Sequence, residues 1–318
     1  MGLDLTAASA YVEENADEFY SRSVLGAKVA QTMTKVTGIK SSVKLPTLDM
    51  GYDLFQDDND CSFDDGGNDL VIAQRTLTVS DIKINEKFCI RDLEPFFTQK
   101  ILTPGGKYDS MPPELRLMEI VIERVQKAVE LTAVRGVLSG SFADTSFNLF
   151  DGMLETISND IAASDIPAEQ QLTGALTASN IIASFRAMYD ALPIDNLLST
   201  VTDGDWVIYC SPLAKALYNR DFQSDNGALV YNSTFDQNFL DNTGIEIVAL
   251  AGMANDNTQA ILTRKGNFWQ GSDIDGEQTD LRLHMGTGSE YRDLFLTGEF
   301  KLGYQTRFPD EMVTNNIS

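Results

Sequence analysis

The most regular alternation of apolar and polar residues lies near the end of the chain. From 294 to 308 the even positions are mostly apolar, whereas odd positions such as Glu299, Lys301 and Arg307 are charged. Successive side chains point to opposite faces of a strand. The pattern therefore predicts one long strand, or two that meet at Gly298, with an apolar face on a core and a polar face towards solvent or a neighbour.

The longest helical pattern covers residues 111–138. Pro112 and Pro113 suit a first turn, where amide donors have no partner in the helix, and Glu114 suits the positive helix start. Apolar residues then recur at spacings of three and four until about Gly136. A helix of this kind would be roughly 37 Å long, more than twice the usual length. It would serve as a spine, although a long core helix in an α/β enzyme would look the same.

The patterns before this helix are shorter. Residues 6–35 have mixed helical spacing and predict two short helices on an N-terminal arm. An acidic, turn-rich stretch follows at 57–69, and residues 71–79 alternate as a strand of a long hairpin or extended loop. Residues 86–106 predict a short helix followed by a turn at Pro104.

The middle third predicts an alternating α/β module. The stretch from 153 to about 177 reads as a surface loop, and a helix follows with Ser179 as its N-cap. A buried strand at 206–210 leads into a helix at 213–222 that is capped by Ser211. The remaining signals are a strand at 244–251 and, from Gln259 onward, strands and turns alone, including a turn at 265–267.

Composition and charge narrow the class of protein. The 318 residues are 43% hydrophobic and 22% charged, which predicts a folded chain of about two domains. The net charge of −23 argues against a surface that grips phosphate backbones. The same charge would suit the wall of a shell that encloses a packed polyanion, but it equally suits ordinary solubility. Cys61, Cys89 and Cys210 are far apart, so neither a zinc site nor a disulfide framework is indicated.

Neither a secretory signal nor a membrane span is visible, because the N-terminus lacks a basic and an apolar region and no apolar run approaches 18 residues. Catalytic signals are equally weak. His284 is the sole histidine, and no phosphate-binding, nucleophile-elbow or zincin motif occurs. The acidic clusters at 57–69 and 273–276 do not match a calcium-binding EF-hand. We therefore assign no catalytic, cofactor-binding or metal-ligating residue, while a carboxylate-based hydrolase stays open because any two acids could meet in space.

The order of these pieces resembles the major capsid protein of tailed bacteriophages, with its α+β Hong Kong 97-type shell fold. Three short segments are similar to sequence segments in capsid proteins of phages that infect Bacteroidetes-type hosts. They are residues 89–97, the end of the 136–152 stretch and residues 262–273. The resemblance implies five segments. They are an N-arm (1–43), an extended E-loop hairpin (44–85), a P-domain (86–150) with its spine helix (111–138), an α/β A-domain (151–285) and a return to the P-domain (286–318).

The resemblance also implies a function without catalysis or cofactors. Copies would assemble into hexamers and pentamers of an icosahedral head that encloses double-stranded DNA, built in the cytoplasm of a bacterial host. Scaffold, portal and decoration proteins would be further partners, with no specific recognition of nucleic acid, no membrane and no cleaved prodomain. The alternatives are a shell subunit of an encapsulin-type nanocompartment, a tail-tube or other virion protein, and the carboxylate-based hydrolase.

The hairpin supplies candidate contact residues. An isolated two-stranded hairpin is marginally stable in water unless another surface covers it. Phe55, Phe63 and Leu70 are therefore candidates for contact with a neighbouring subunit, although contact with another part of the same chain would cover the hairpin equally well. In some relatives a lysine of the E-loop forms a covalent cross-link between subunits of the shell. Lys83 and Lys87 lie near the base of the loop, so we do not assign this cross-linking to either lysine.

Overall fold

A computed structural model describes most of the chain. The described residues are 28–50, 70–89, 113–142, 145–193, 205–226, 238–240, 243–255, 258–273, 280–285 and 293–317. Within them the helices are α1 (Lys28–Thr32), α2 (Pro113–Arg135), α3 (Met153–Ala162), α4 (Ile181–Asp190) and α5 (Pro212–Asn226). The strands are β1 (Thr34–Val36), β2 (Ser42–Met50), β3 (Leu70–Thr78), β4 (Ser80–Cys89), β5 (Gln171–Leu172), β6 (Trp206–Cys210), β7 (Glu246–Ala249), β8 (Ala260–Arg264), β9 (Phe268–Ser272), β10 (Asp280–Met285), β11 (Asp293–Thr306) and β12 (Met312–Asn315).

The predicted long strand is β11, and it organises the first sheet. It pairs antiparallel with β4 from Asp293↔Cys89 to Leu302↔Ser80, with β10, and with β9 near its end. β1 extends the sheet by pairing parallel with β9. The predicted apolar face is confirmed, because Leu296, Phe300, Leu302 and Tyr304 are buried.

The spine helix α2 packs its apolar stripe into the core that lies against this sheet. Val129, Ala133 and Val134 are buried in one cluster with Phe300 and Leu302 of β11. The helix has 23 residues and is therefore about 35 Å long.

The second sheet has the strand order β5-β12-β8-β6-β7 and carries its own core. All five residues of β6 are buried, as its unbroken apolar run predicts. Helices α4 and α5 pack together, with the rings of Phe185 and Tyr218 stacked at 5.7 Å. The N-cap prediction at Ser211 is confirmed, since its Oγ accepts a hydrogen bond from the amide of Ala214 at 3.0 Å.

The predicted hairpin is formed by β2 and β3. These strands pair antiparallel from Ser42↔Thr78 to Met50↔Leu70 and make a sheet of their own. A single residue, Val79, separates β3 from β4. The surface of the hairpin includes Ile72, which is 62% exposed.

Four sequence predictions are wrong. Residues 153–162 form helix α3 instead of a loop, because Met153, Thr156, Ile157 and Asp160 repeat at helical spacing and are buried. The N-cap of α4 is Asn180, one residue after the predicted Ser179. Residues 34–36 belong to β1, and 86–89 to β4, where helical structure was expected, since pairing with β9 and β11 outweighs the weak local signals. Residues 90–106 lie outside the described part of the chain.

Candidate assembly surfaces

The base of the hairpin is anchored on the body of the protein by a small apolar cluster. Leu45 and Leu77, one from each strand, are buried together with Ile39 and Val79. Trp269 of β9 packs against this cluster. The hairpin is therefore fixed where it leaves the body, while its apolar side chains further out, such as Ile72, are exposed.

Polar contacts reinforce the same junction. The guanidinium of Arg75 on β3 donates a hydrogen bond to the buried carboxylate of Asp160 on α3, and the hydroxyl of Thr306 on β11 donates to its second oxygen. Asp165 lies 3.6 Å from the same guanidinium. Burial raises the pKa of Asp160, although the hydrogen bonds from Thr306 and Arg75 oppose the shift. One carboxylate thus joins the hairpin, a helix and the central strand.

A second arginine holds the other strand of the hairpin. The guanidinium of Arg307 lies over the rings of Trp269 and Phe308, at 5.0 and 4.9 Å from their centroids. It also donates a hydrogen bond of 3.3 Å to the carbonyl oxygen of Pro46 on β2. Since the planar guanidinium can stack and donate at once, Arg307 fixes β2 against the end of β11.

A groove of about 970 Å³ lies between α2 and β4. Its walls come from α2 and β4, and Phe300 and Leu302 of β11 also line it. The apolar lining is only partly covered, since Ile82, Ile84 and Val125 are half-buried and Ile120 is 43% exposed. This volume lies at the upper end of the range for ligand pockets, so the groove can receive a peptide segment or several large side chains.

The charged side chains of the groove are mostly cationic. Lys83 on β4 and Arg124 and Lys127 on α2 line it, against one acid, Glu86. All four are exposed. No ion pair joins any of these cations to a described residue. A chain with a net charge of −23 therefore presents a locally positive, partly apolar groove.

The predicted contact residues are only partly described. Phe55 and Phe63 lie outside the described residues. Leu70 is the first residue of β3 and pairs with Met50 at the outer end of the hairpin, but its side chain is not described. Their role in subunit contact stays a prediction. Sequence reasoning missed both the Arg75–Asp160 contact and the groove, because each joins residues far apart in the chain.

The described residues show no converging catalytic groups. His284 is exposed and its ring stacks on Phe295 at 5.6 Å. Burial raises the pKa of Asp160 and of Glu311, but each carboxylate contacts an arginine, Arg75 and Arg264 respectively, and neither lines the groove. Both acids therefore act in ion pairs that hold elements together.

Among the described residues, no group of three or more histidine, cysteine or acidic side chains could hold a metal ion. None of the described helices is both long and apolar enough to cross a bilayer.

Comparison with known proteins rests on structure alone. No protein-family model and no curated protein matches the sequence. Solved structures do match. A capsid chain of an empty GTA particle superposes with a TM-score of 0.55 at 12% identity, over 93% of this chain and 89% of that one. A chain of the satellite phage P4 procapsid, which includes the size determination protein, gives 0.55 at 10% identity over 96% and 98%. The capsid of Ralstonia phage GP4 gives 0.51 at 11% identity over 89% and 86%.

These superpositions cover nearly the whole of each chain, so they concern the architecture and not one shared motif. They place the chain in the α+β class of these capsid chains. The chain has the phage capsid fold, and the resemblance drawn from the sequence is confirmed at the level of the fold.

Proposed function

We propose that this chain is the major capsid protein of a tailed bacteriophage, a structural subunit without catalytic activity. The observation that carries the proposal is the match of nearly the entire chain to capsid chains of phage and GTA particles. A binding or catalytic protein built on the same fold would be expected to carry a ligand-binding or active site. In this chain the acids with raised pKa values form ion pairs instead.

Copies of the chain assemble with one another into hexamers and pentamers of an icosahedral head that encloses double-stranded DNA. The hairpin supports this proposal, because two strands with an exposed Ile72 gain stability when another surface covers them. Phe55, Phe63 and Leu70 are the proposed contact residues on that arm. Scaffold, portal and decoration proteins are further partners, and assembly takes place in the cytoplasm of the bacterial host.

The same proposal assigns a structural part to each segment of the chain. Residues 1–43 form the N-arm, 44–85 the E-loop, 86–150 the P-domain, 151–285 the A-domain and 286–318 the return to the P-domain. The hairpin of β2 and β3 supports the second segment, and the length of α2 supports a spine in the third. The net charge of −23 supports a wall that does not bind the enclosed DNA specifically.

The test is assembly of the intact chain. We would express it, alone and beside a candidate scaffold protein, and examine it by size-exclusion chromatography and negative-stain electron microscopy at several concentrations. Rings of five or six, closed shells or large sheets are expected. A monodisperse monomer under every condition would overturn the proposal.

A second observation separates a phage head from an encapsulin-type compartment. Particles purified from the native source would be analysed for their contents by nuclease treatment and mass spectrometry. The proposal expects double-stranded DNA protected from nuclease. A protein cargo in its place would assign the shell to a compartment.

A further inference from the structure

A small cavity lies where the end of α2 meets the start of α3 and a short 3₁₀ helix, Ala251–Asn255. It shares no lining residue with the groove between α2 and β4, and its volume is about 270 Å³. Part of its lining is apolar and comes from Phe142, Leu154, Met253 and Ile317. Since each water in the liquid takes about 30 Å³, the cavity has room for a molecule of about nine non-hydrogen atoms. It therefore suits a small organic molecule rather than a peptide segment.

The positive side of this cavity is Arg135, near the end of α2. Its Nε donates a hydrogen bond to the carbonyl oxygen of Gly252, and the amide of Ala251 donates to the carboxylate of Glu130 at 3.2 Å. A Cβ atom built on Gly252 would lie 2.5 Å from the Cβ of Val134, so the 3₁₀ helix packs directly on α2. The guanidinium is therefore held in place through Nε, which leaves its two terminal nitrogens to donate to a ligand.

No acid of the described chain compensates this guanidinium. Arg135 forms no ion pair with a described residue. Partial burial lowers the pKa of Arg135, and no neighbouring carboxylate opposes that shift. A partly desolvated guanidinium favours a carboxylate partner, since its planar fork matches the two oxygens.

The negative side of the cavity is Glu155, in the first turn of α3. Its carboxylate also forms no ion pair with a described residue, so it is not paired with Arg135 across the cavity. A ligand with a single charge would be attracted by one of these groups and repelled by the other. The cavity is therefore complementary to a ligand that carries both charges.

We propose that this cavity binds an amino acid with an apolar side chain in its zwitterionic form. The carboxylate of the ligand accepts hydrogen bonds from Arg135, its ammonium donates to Glu155, and its side chain packs on Leu154 and Met253. Leucine, with about nine non-hydrogen atoms, matches the volume. The proposal goes beyond the proposed function and leaves it unchanged, because the bound molecule undergoes no reaction. It braces the junction of α2 and α3, and it stabilises the chain by binding the folded state alone.

Equilibrium dialysis of the full chain with radiolabelled leucine tests the proposal. Two competitors separate the charges, since leucinamide lacks the carboxylate and isocaproate lacks the ammonium. We expect leucine to bind in the millimolar range or tighter, as suits a ligand of this size. Each competitor should bind roughly tenfold or more weakly than leucine, because it leaves one charge of the cavity without a partner. Leucine should also raise the unfolding temperature of the chain.

The decisive variant is Glu155→Gln, which removes one charge and keeps the shape of the side chain. It should weaken leucine roughly tenfold and reverse the preference, so that isocaproate binds at least as well as leucine. Arg135→Gln should abolish the advantage of leucine over leucinamide. Because Arg135 also holds Gly252, this second variant has lower stability, and the reversal of preference in Glu155→Gln carries the test.

The matched controls are Glu169→Gln and Arg220→Gln, which change an exposed acid and an exposed base outside the cavity. Both should bind leucine as the wild type does. The proposal is overturned if leucine does not bind, or if all three compounds bind equally to the wild type. An unchanged preference in Glu155→Gln would also overturn it, since the ligand would then lie elsewhere.

Discussion

The guanidinium of Arg75 contacts the carboxylate of Asp160, which lies 85 residues further along the chain and is only 3% exposed. Asp160 also accepts a hydrogen bond from Thr306. The pair ties the projecting hairpin to α3 and to the end of β11. A buried carboxylate with two donors of this kind is costly to disturb, because removing one partner leaves the other without compensation.

Replacing Asp160 by alanine should therefore loosen the base of the hairpin. We expect the free energy of unfolding of the unassembled chain to fall by about 2–4 kcal/mol, measured by chemical denaturation. Asp165→Ala is the matched control, because the side chain of Asp165 is 45% exposed and lies 3.6 Å from the same arginine. Its loss should cost less than about 1 kcal/mol. Equal effects of the two substitutions would contradict the role assigned to Asp160.

The same carboxylate should make stability depend on pH. Burial raises the pKa of Asp160 above that of an unfolded chain, which is about 3.9, even though Thr306 and Arg75 favour the charged form and Asp165 adds to the shift. The folded state then binds the proton more tightly. This contribution to stability is complete below about pH 4 and is lost as the pH rises through the folded pKa.

The measurement compares the wild type with Asp160→Asn, which cannot titrate. The difference in free energy of unfolding, wild type minus variant, should fall as the pH rises from about 3.5 and then level off. The other buried acid with a raised pKa, Glu311, is present in both proteins and cancels. A difference that grows with pH would show that the arginine, and not burial, dominates.

Gly303 marks a close approach that allows no side chain. It lies in β11, and a Cβ atom built on it would overlap the backbone carbonyl of Thr78 at the base of the hairpin. Gly303→Ala should therefore separate the two backbones and lower the free energy of unfolding by about 3 kcal/mol. Gly174→Ala, where nothing lies within 4 Å of the added atom, should change it by less than about 0.5 kcal/mol. Thermal and chemical denaturation would both register the contrast.

These features show where sequence reasoning succeeds. The alternation of β11, the unbroken apolar run of β6 and the cap at Ser211 are local patterns, and each predicts the element that is found. Helix α3 could also be predicted from the sequence, since its buried residues follow helical spacing. The Gln/Ala/Gly/Thr-rich composition of the residues after it favours a loop instead.

Other features depend on contacts between distant parts of the chain. Neither the pairing of Arg75 with Asp160 nor the need for glycine at 303 leaves a periodic signal, because each arises only when the hairpin base meets β11. The groove is of the same kind, since residues of β4 and α2 approach each other only in the fold. The overall order of elements was predictable, and the surfaces between them were not.

Ile72 offers the sharpest separation of folding from assembly. It lies on β3 and is 62% exposed, so it contributes little to the stability of the isolated chain. Ile72→Ser should leave the free energy of unfolding within about 0.5 kcal/mol of the wild type. If the hairpin is covered by a neighbouring copy, however, the loss of apolar contact area should raise the concentration needed for assembly several-fold. Ile72→Val keeps most of that area and should assemble almost normally by light scattering. Unchanged assembly of the serine variant would mean that this face of the hairpin stays in water in the particle, and the search for the contact would move to the opposite face.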